Sequence, residues 1–159
     1  MRLTTCAPSC RTLSPTGRGR SFRSPQHGHV REVDLLIAVP GGLFLIEIKS
    51  HPGRATNRGG TWLFRAPDRT HSIDNPLHLT DRKSKELKNR LEWAAGKLRV
   101  REPVPFIEPA VFLSAPGLRS ELDEQQRTKV YGCNDRATGL PKIWDDLLAL
   151  PAGRPSGSG

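Results

Sequence analysis

The triplet Glu47-Ile48-Lys49 closes an otherwise apolar run, and a second acid, Asp34, opens the apolar run before it (VDLLIAVPGGLFLIEIKS, residues 33–50). Two chemistries are open to such a set. If the two carboxylates converge, they can cage a hard, oxygen-seeking divalent cation, Mg2+ or Mn2+. If they do not, Lys49 pairs with Glu47 at a strand end that water reaches, an arrangement that costs little.

Which of these holds depends on the elements that carry the three residues. The two runs are rich in Val, Leu, Ile and Phe and are separated by Pro40-Gly41-Gly42, which predicts a β-hairpin. A two- or four-residue loop gives one register, in which the numbers of facing residues sum to 81. Ala38 then faces Leu43, Leu36 faces Leu45, Asp34 faces Glu47 and Glu32 faces Lys49. Side chains alternate along a strand, so Asp34, Glu47 and Lys49 project from one face. Val33, Leu35, Ile37, Phe44, Ile46 and Ile48 line the other. Away from the charged end both faces are apolar, which predicts strands covered on both sides. Two facing acids repel, and burying either one unpaired costs several kcal/mol, so a compensating cation is required.

Further along, Trp62 to Phe64 reads as a short strand after the Gly59-Gly60 turn, with both aromatics in the core, and residues 66–76 read as a polar loop. Leu87, Leu91, Ala94 and Leu98 recur at helical spacing, with Thr80 as N-cap and Asp81 in the first turn. On that helix Lys83 falls beside the leucine stripe and is the cation best placed to reach the charged end of the sheet. Arg82, Lys85, Asn89 and Glu92 fall on the opposite, solvated side. Residues 109–115 and 128–132 read as two more strands. A helix from Ile143 to Leu150 brings Trp144, Leu147 and Leu148 to the core.

At 159 residues the chain suits a single core, and its net charge of +9 favours a polyanionic partner such as nucleic acid. Six of those charges are arginines within residues 1–31, a segment without Asp or Glu. Residues 1–28 read as a disordered Arg/Ser/Pro-rich leader, or the damaged start of a longer domain, with some likeness in composition to a transit peptide. Residues 29–150 read as the folded domain and 151–159 as a flexible tail. No run is apolar enough for a secretion signal or a membrane span, and no repeat of solenoid length occurs. Three cysteines without an export signal predict reduced thiols and a cytoplasmic protein. Cys6, Cys10, His27 and His29 have a spacing that zinc tolerates, in a segment too rich in Pro and Ser to favour it.

The stretches REVDLLIAVPGGLFLIEIKSHPG, GGTWLF, DNPLHLTDRKSKELKNRL and VPFIEPAVFLSA, in this order and spacing, resemble the nuclease-related domain family of the restriction-endonuclease-like, PD-(D/E)XK superfamily. The similarity runs from about His29 to Gly132 and is greatest to the form attached to bacterial serine/threonine protein kinases. It implies an α/β fold with a mixed central sheet flanked by helices, and Mg2+-dependent (or Mn2+-dependent) hydrolysis of DNA, in bacterial defence or signalling. Carried over, the resemblance makes Asp34 and Glu47 the metal-binding carboxylates, with the Ile48 carbonyl as a further ligand and Lys49 as the catalytic lysine. Lys83 and Lys88, with Asn75 at the head of the helix, become the nucleic-acid contacts. The superfamily's first helix, often bearing a metal-proximal glutamate, has no counterpart in residues 1–28, and a Gln common after Asn-Pro is replaced by Leu79 and Thr80. These departures leave open a catalytically weak, nucleic-acid-binding or regulatory module attached to a kinase, or a truncated fragment.

Overall fold

The computed structural model describes residues 20–23, 30–39, 42–133 and 140–149. Along the chain these form β1 (Arg20–Arg23), β2 (Val30–Val33), β3 (Leu35–Val39), β4 (Gly42–Lys49), β5 (Arg54–Arg58), β6 (Thr61–Arg65) and β7 (Thr70–Asp74). Then follow α1 (Pro76–Leu98), β8 (Ile107–Leu113), β9 (Arg119–Ser120), α2 (Glu124–Arg127), β10 (Val130–Gly132) and α3 (Leu140–Ala149).

The main sheet has the order β10-β8-β4-β3. β3 and β4 are antiparallel in the register anticipated from sequence, from Leu35↔Ile46 to Val39↔Gly42. β4 then runs parallel to β8, and β8 parallel to β10, so the sheet is mixed. Each face has its own helix. Phe44, Ile46, Ala110 and Tyr131 pack with Ile143 and Leu147 of α3 on one side, whereas Leu45 and Ile107 pack with Leu87 and Leu91 of α1 on the other. This is the mixed α/β sheet between helices that the resemblance implies. Among the described residues no helix precedes β3; the β1–β2 hairpin stands there, pairing Arg20 with Val33 and Arg23 with Val30.

A second sheet, β7-β6-β5-β9, was not evident in the sequence. It lays Ala55, Trp62 and Phe64 against Val111, Leu113, Leu122 and Val130, in a cluster from which water is excluded. Trp62 and Phe64 are thus core residues, and truncating either one costs about 3–5 kcal/mol by the usual cavity argument. The stretch read as a polar loop contains β7, an edge strand whose side chains are mostly exposed and carry no apolar alternation. Only its partner β6 makes it a strand.

Other expectations are corrected. Helix α1 starts at Pro76, not after Thr80: Asn75 is the N-cap, its side chain accepting the Leu77 N–H at 2.9 Å, and Pro76 takes the first-turn position where a missing N–H is harmless. Thr80 lies inside the helix, fully buried, its hydroxyl donating to the Pro76 carbonyl at 2.6 Å. Thr80 and Ser84 are small and buried, so the first half of α1 can approach the sheet closely. Beyond Leu91 the helix leaves the sheet, with Trp93 and Leu98 exposed. Leu148 is exposed as well, so of Trp144, Leu147 and Leu148, the three expected in the core, Leu147 is the one seen there, with Ile143 beside it; the side chain of Trp144 lies outside the described residues. β3 is an edge strand with Leu35 and Leu36 exposed, and therefore is not covered on both sides. Cys6, Cys10, His27 and His29, the Pro40-Gly41 loop, the C-terminal tail and most of the leader also lie outside the described residues. β1 lies within the segment read as leader.

Candidate functional site

Glu47 projects from β4 to the α1 side, two residues beyond Leu45 on the same face. On α1, Lys83, Leu87 and Leu91 follow each other at intervals of four, one stripe of the helix. The contact that seats Leu87 near Leu45 is thus continued at the strand's end by Lys83 meeting Glu47, Nζ to Oε2 at 2.7 Å. Lys49 reaches the other carboxylate oxygen, Nζ to Oε1, also at 2.7 Å. Glu47 is only 9% exposed, and each of its oxygens therefore lies against an ammonium.

Burial alone would push the Glu47 carboxyl up, but the hydrogen bonds and charges of Lys49 and Lys83 outweigh it and hold the group below the usual carboxylate value. Glu47 is accordingly a firmly ionised carboxylate in a half-dry place. Charge-assisted bonds of this kind are about twice as strong as neutral ones, and two are needed to offset its desolvation.

Asp34 sits differently from the simple alternation. It forms a bend between β2 and β3, and its Oδ2 accepts the backbone N–H of Ile48 at 2.7 Å. The β3–β4 ladder stops at Leu35↔Ile46, so Asp34 and Glu47 are not a ladder pair. The bend also turns Val33 onto the α1 side, where it joins Leu45 and Ile107 rather than Phe44 and Ile46. What the fold brings together is Glu47, Lys49 and Lys83 in direct contact, with Asp34 anchored to the residue between Glu47 and Lys49. In a strand a residue's N–H and C=O point to the same edge, so the Ile48 carbonyl is directed toward the Asp34 edge, away from β8. Lys49 points its carbonyl the opposite way, accepting the Ser114 N–H at 2.9 Å.

The donor set on offer to a cation is Asp34, Glu47 and the Ile48 carbonyl, all hard oxygens. Mg2+ keeps several waters and commonly takes one or two carboxylates, so this set fits it in kind. Among the described residues no group of three or more His, Cys, Asp or Glu is gathered as a metal cage. Such a cation would have to displace an ammonium from Glu47.

The nucleic-acid contacts inferred from the resemblance fare unevenly. Lys83 is committed to Glu47. Lys88 is half-buried and pairs with Glu92 at 3.6 Å along the helix. Asn75 is buried, with its Oδ1 capping α1 and its Nδ2 donating to the Gln126 Oε1 at 2.5 Å, so its side chain holds structure instead of facing a ligand. Gln126, from α2, also accepts from the Trp62 indole at 3.3 Å. No local pattern in the sequence marks it, because its partners lie 51 and 64 residues away.

A mixed α/β domain of this kind is consistent with a nuclease-like fold. The nuclease-related domain model matches residues 16–114, more than half of the chain. The chain belongs to the nuclease-related domain family. It is 43% identical over 122 residues to a Streptomyces coelicolor protein described as probable kinase PglW; the match covers 75% of this chain and 7% of that protein, so the chain spans a small part of its relative's length. No solved structure matches. Among the described residues no helix is long and apolar enough to cross a membrane.

Proposed function

We propose that this domain hydrolyses phosphodiester bonds of DNA with Mg2+ or Mn2+, in the cytoplasm, as one part of a bacterial defence or signalling protein. The observation that carries the reading is the convergence of Lys49 and Lys83 on the buried Glu47, beside an Asp34 locked to Ile48. A divalent cation at these oxygens would polarise a water and offset charge on the phosphate. Asp34 and Glu47 would hold it, with the Ile48 carbonyl.

The protein's own contribution is positioning and charge. Glu47 remains ionised at neutral pH because its lysine partners outweigh its burial, and so is ready as a ligand. Asp34 is oriented by the Ile48 N–H, which fixes one oxygen and leaves the carboxylate at the strand edge. Once freed from Glu47, the Lys49 ammonium lies next to the reacting phosphate, where it orients the attacking water and balances negative charge as it builds. Lys83 keeps Glu47 neutralised while no substrate is bound.

A second reading has its own support. Both Glu47 oxygens are already satisfied by ammonium groups, and the similar S. coelicolor protein is described as a probable kinase. A catalytically weak module that binds nucleic acid and controls an attached kinase fits these two observations. Purified protein incubated with supercoiled DNA and Mg2+ or Mn2+ separates the readings. Nicking or cutting abolished by Asp34→Ala, Glu47→Ala and Lys49→Ala supports the nuclease, whereas binding without metal-dependent cleavage supports the module.

A further inference from the structure

Directly after Lys49 the chain makes the turn Ser50-His51-Pro52-Gly53 and comes hard against the end of β6. Gly53 has φ +99°, and a Cβ there would lie 2.1 Å from the Arg65 carbonyl oxygen, so only glycine permits this approach. The approach brings His51 over Phe64, with ring centroids 4.8 Å apart, and beside His71 of β7, with centroids 4.3 Å apart. Below the tight Ala66–Arg69 turn, closed by reciprocal backbone bonds of 2.8 and 3.3 Å, opens a cavity of about 240 Å3. Its polar wall is His51, Arg69, Thr70 and His71, its floor the buried Phe64, and no carboxylate lines it.

Three nitrogen-rich side chains and a hydroxyl around an aromatic floor, without an acid among them, form a site for an anion with several acceptor oxygens. We propose that this cavity binds a phosphate group of the nucleic-acid strand, next to the one that would react beside Lys49. The guanidinium of Arg69 offers paired donors that match phosphate geometry, the imidazoles of His51 and His71 donate singly, and the Thr70 hydroxyl adjusts to whichever oxygen remains. The volume accommodates a phosphate and its ester oxygens with room for water. Burial first, then the charges of His71, Lys49 and Arg69, hold His51 below the ordinary imidazole value, so its ring contributes a hydrogen-bond donor and leaves the formal charge to Arg69. The site would fix the strand two residues from Lys49 in sequence and turn a general charge attraction into a defined register. Ownership of the phosphate by a nucleic acid rests on the nuclease reading; the phosphate site itself does not.

The test follows the imidazole signals of His51 and His71 by 1H–13C NMR. The full chain is titrated with inorganic phosphate against chloride of matched ionic strength, then with a short oligonucleotide with and without a 5′-phosphate. The expected result is a saturable, phosphate-specific shift of both rings, with binding about tenfold weaker in Arg69→Gln, the scale of one lost charge-assisted contact. A larger affinity for the 5′-phosphorylated strand assigns the cavity to a chain end, and equal affinities assign it to an internal phosphodiester. Shifts no greater than those in chloride, or unaltered by Arg69→Gln, overturn the proposal whether or not the protein cuts DNA. Should phosphate bind while wild-type protein cuts nothing, the nuclease reading falls and the phosphate site stands.

Discussion

The Asp34 carboxylate accepts the Ile48 N–H at 2.7 Å, in the place where continuation of the β3–β4 ladder would have put the Val33 carbonyl. A side chain thus substitutes for one rung of backbone pairing, and the chain is free to bend at Asp34. The bend and the site are one feature: the same contact that ends the ladder fixes an acid beside Glu47 and Lys49.

This contact separates structure from chemistry. Asp34→Ala leaves the Ile48 N–H without its charged acceptor and should lower stability by about 1 kcal/mol, the bond being exposed to solvent. Asp34→Asn keeps an acceptor oxygen and should retain most of that stability while abolishing metal-dependent cleavage. Urea denaturation and amide exchange at Ile48 measure the first effect, and DNA nicking the second.

Glu47 gives the protein an acid limb. Its folded-state proton affinity is reduced, so its stabilisation is fully present above the unfolded carboxyl value near 4.5 and disappears as pH falls through the lower folded value. Glu47→Gln should cost on the order of 2 kcal/mol at neutral pH, because two partly buried ammoniums lose their counter-charge, and should flatten the stability curve below pH 4.5. Chemical denaturation between pH 3 and 7 checks both.

Lys83 competes with any cation for Glu47 Oε2. Lys83→Met should therefore tighten Mn2+ binding by roughly fivefold, the scale of one ion pair near the surface. Electron paramagnetic resonance of free Mn2+ reads the change. An unaltered or weakened affinity would mean that Glu47 is no metal ligand.

Gly53 is a structural lock on the turn after Lys49. Gly53→Ala adds a methyl within 2.1 Å of the Arg65 carbonyl oxygen at a φ that other residues rarely adopt, and should destabilise the domain by about 2–4 kcal/mol. Thermal unfolding should show this, together with loss of the His51–His71 ring contact in NMR spectra.

Tyr131 is the chain's single tyrosine. Burial, reinforced by its bond to Asp146 at 2.7 Å and that carboxylate's charge, pushes the phenol well above its ordinary value of 10. Absorbance at 295 nm should therefore show almost no phenolate at pH 10.5 in the folded protein, and about three-quarters ionisation there once denaturant is added. Tyr131→Phe should cost about 1 kcal/mol by releasing α3 from β10.

Part of the candidate site's geometry was legible in the sequence because it is local. A tight turn fixes hairpin register by parity, so Leu36 opposite Leu45 followed from counting residues. Helical spacing likewise placed Lys83 on the stripe of Leu87 and Leu91, and hence beside the end of β4. Aromatic content and context put Trp62 and Phe64 in the core. Legibility failed where an element owes its existence to a remote partner. β7 has no apolar alternation and is a strand only because β6 pairs with it; β5 is held between β6 and β9, the latter 65 residues farther on at Arg54↔Arg119.

The sequence by itself determined the hairpin, the leucine face of α1 and the presence of two acids and a lysine near one strand end. Each of these follows from steric periodicity over a few residues. Only the tertiary structure decided that Asp34 would turn into the strand edge to take the Ile48 N–H, that Glu47 would be gripped by two lysines, and that His51, Arg69 and His71 would wall one cavity. Those outcomes depend on which polar groups are left without partners once distant elements pack, because a buried donor or charge must find a partner wherever the fold supplies one.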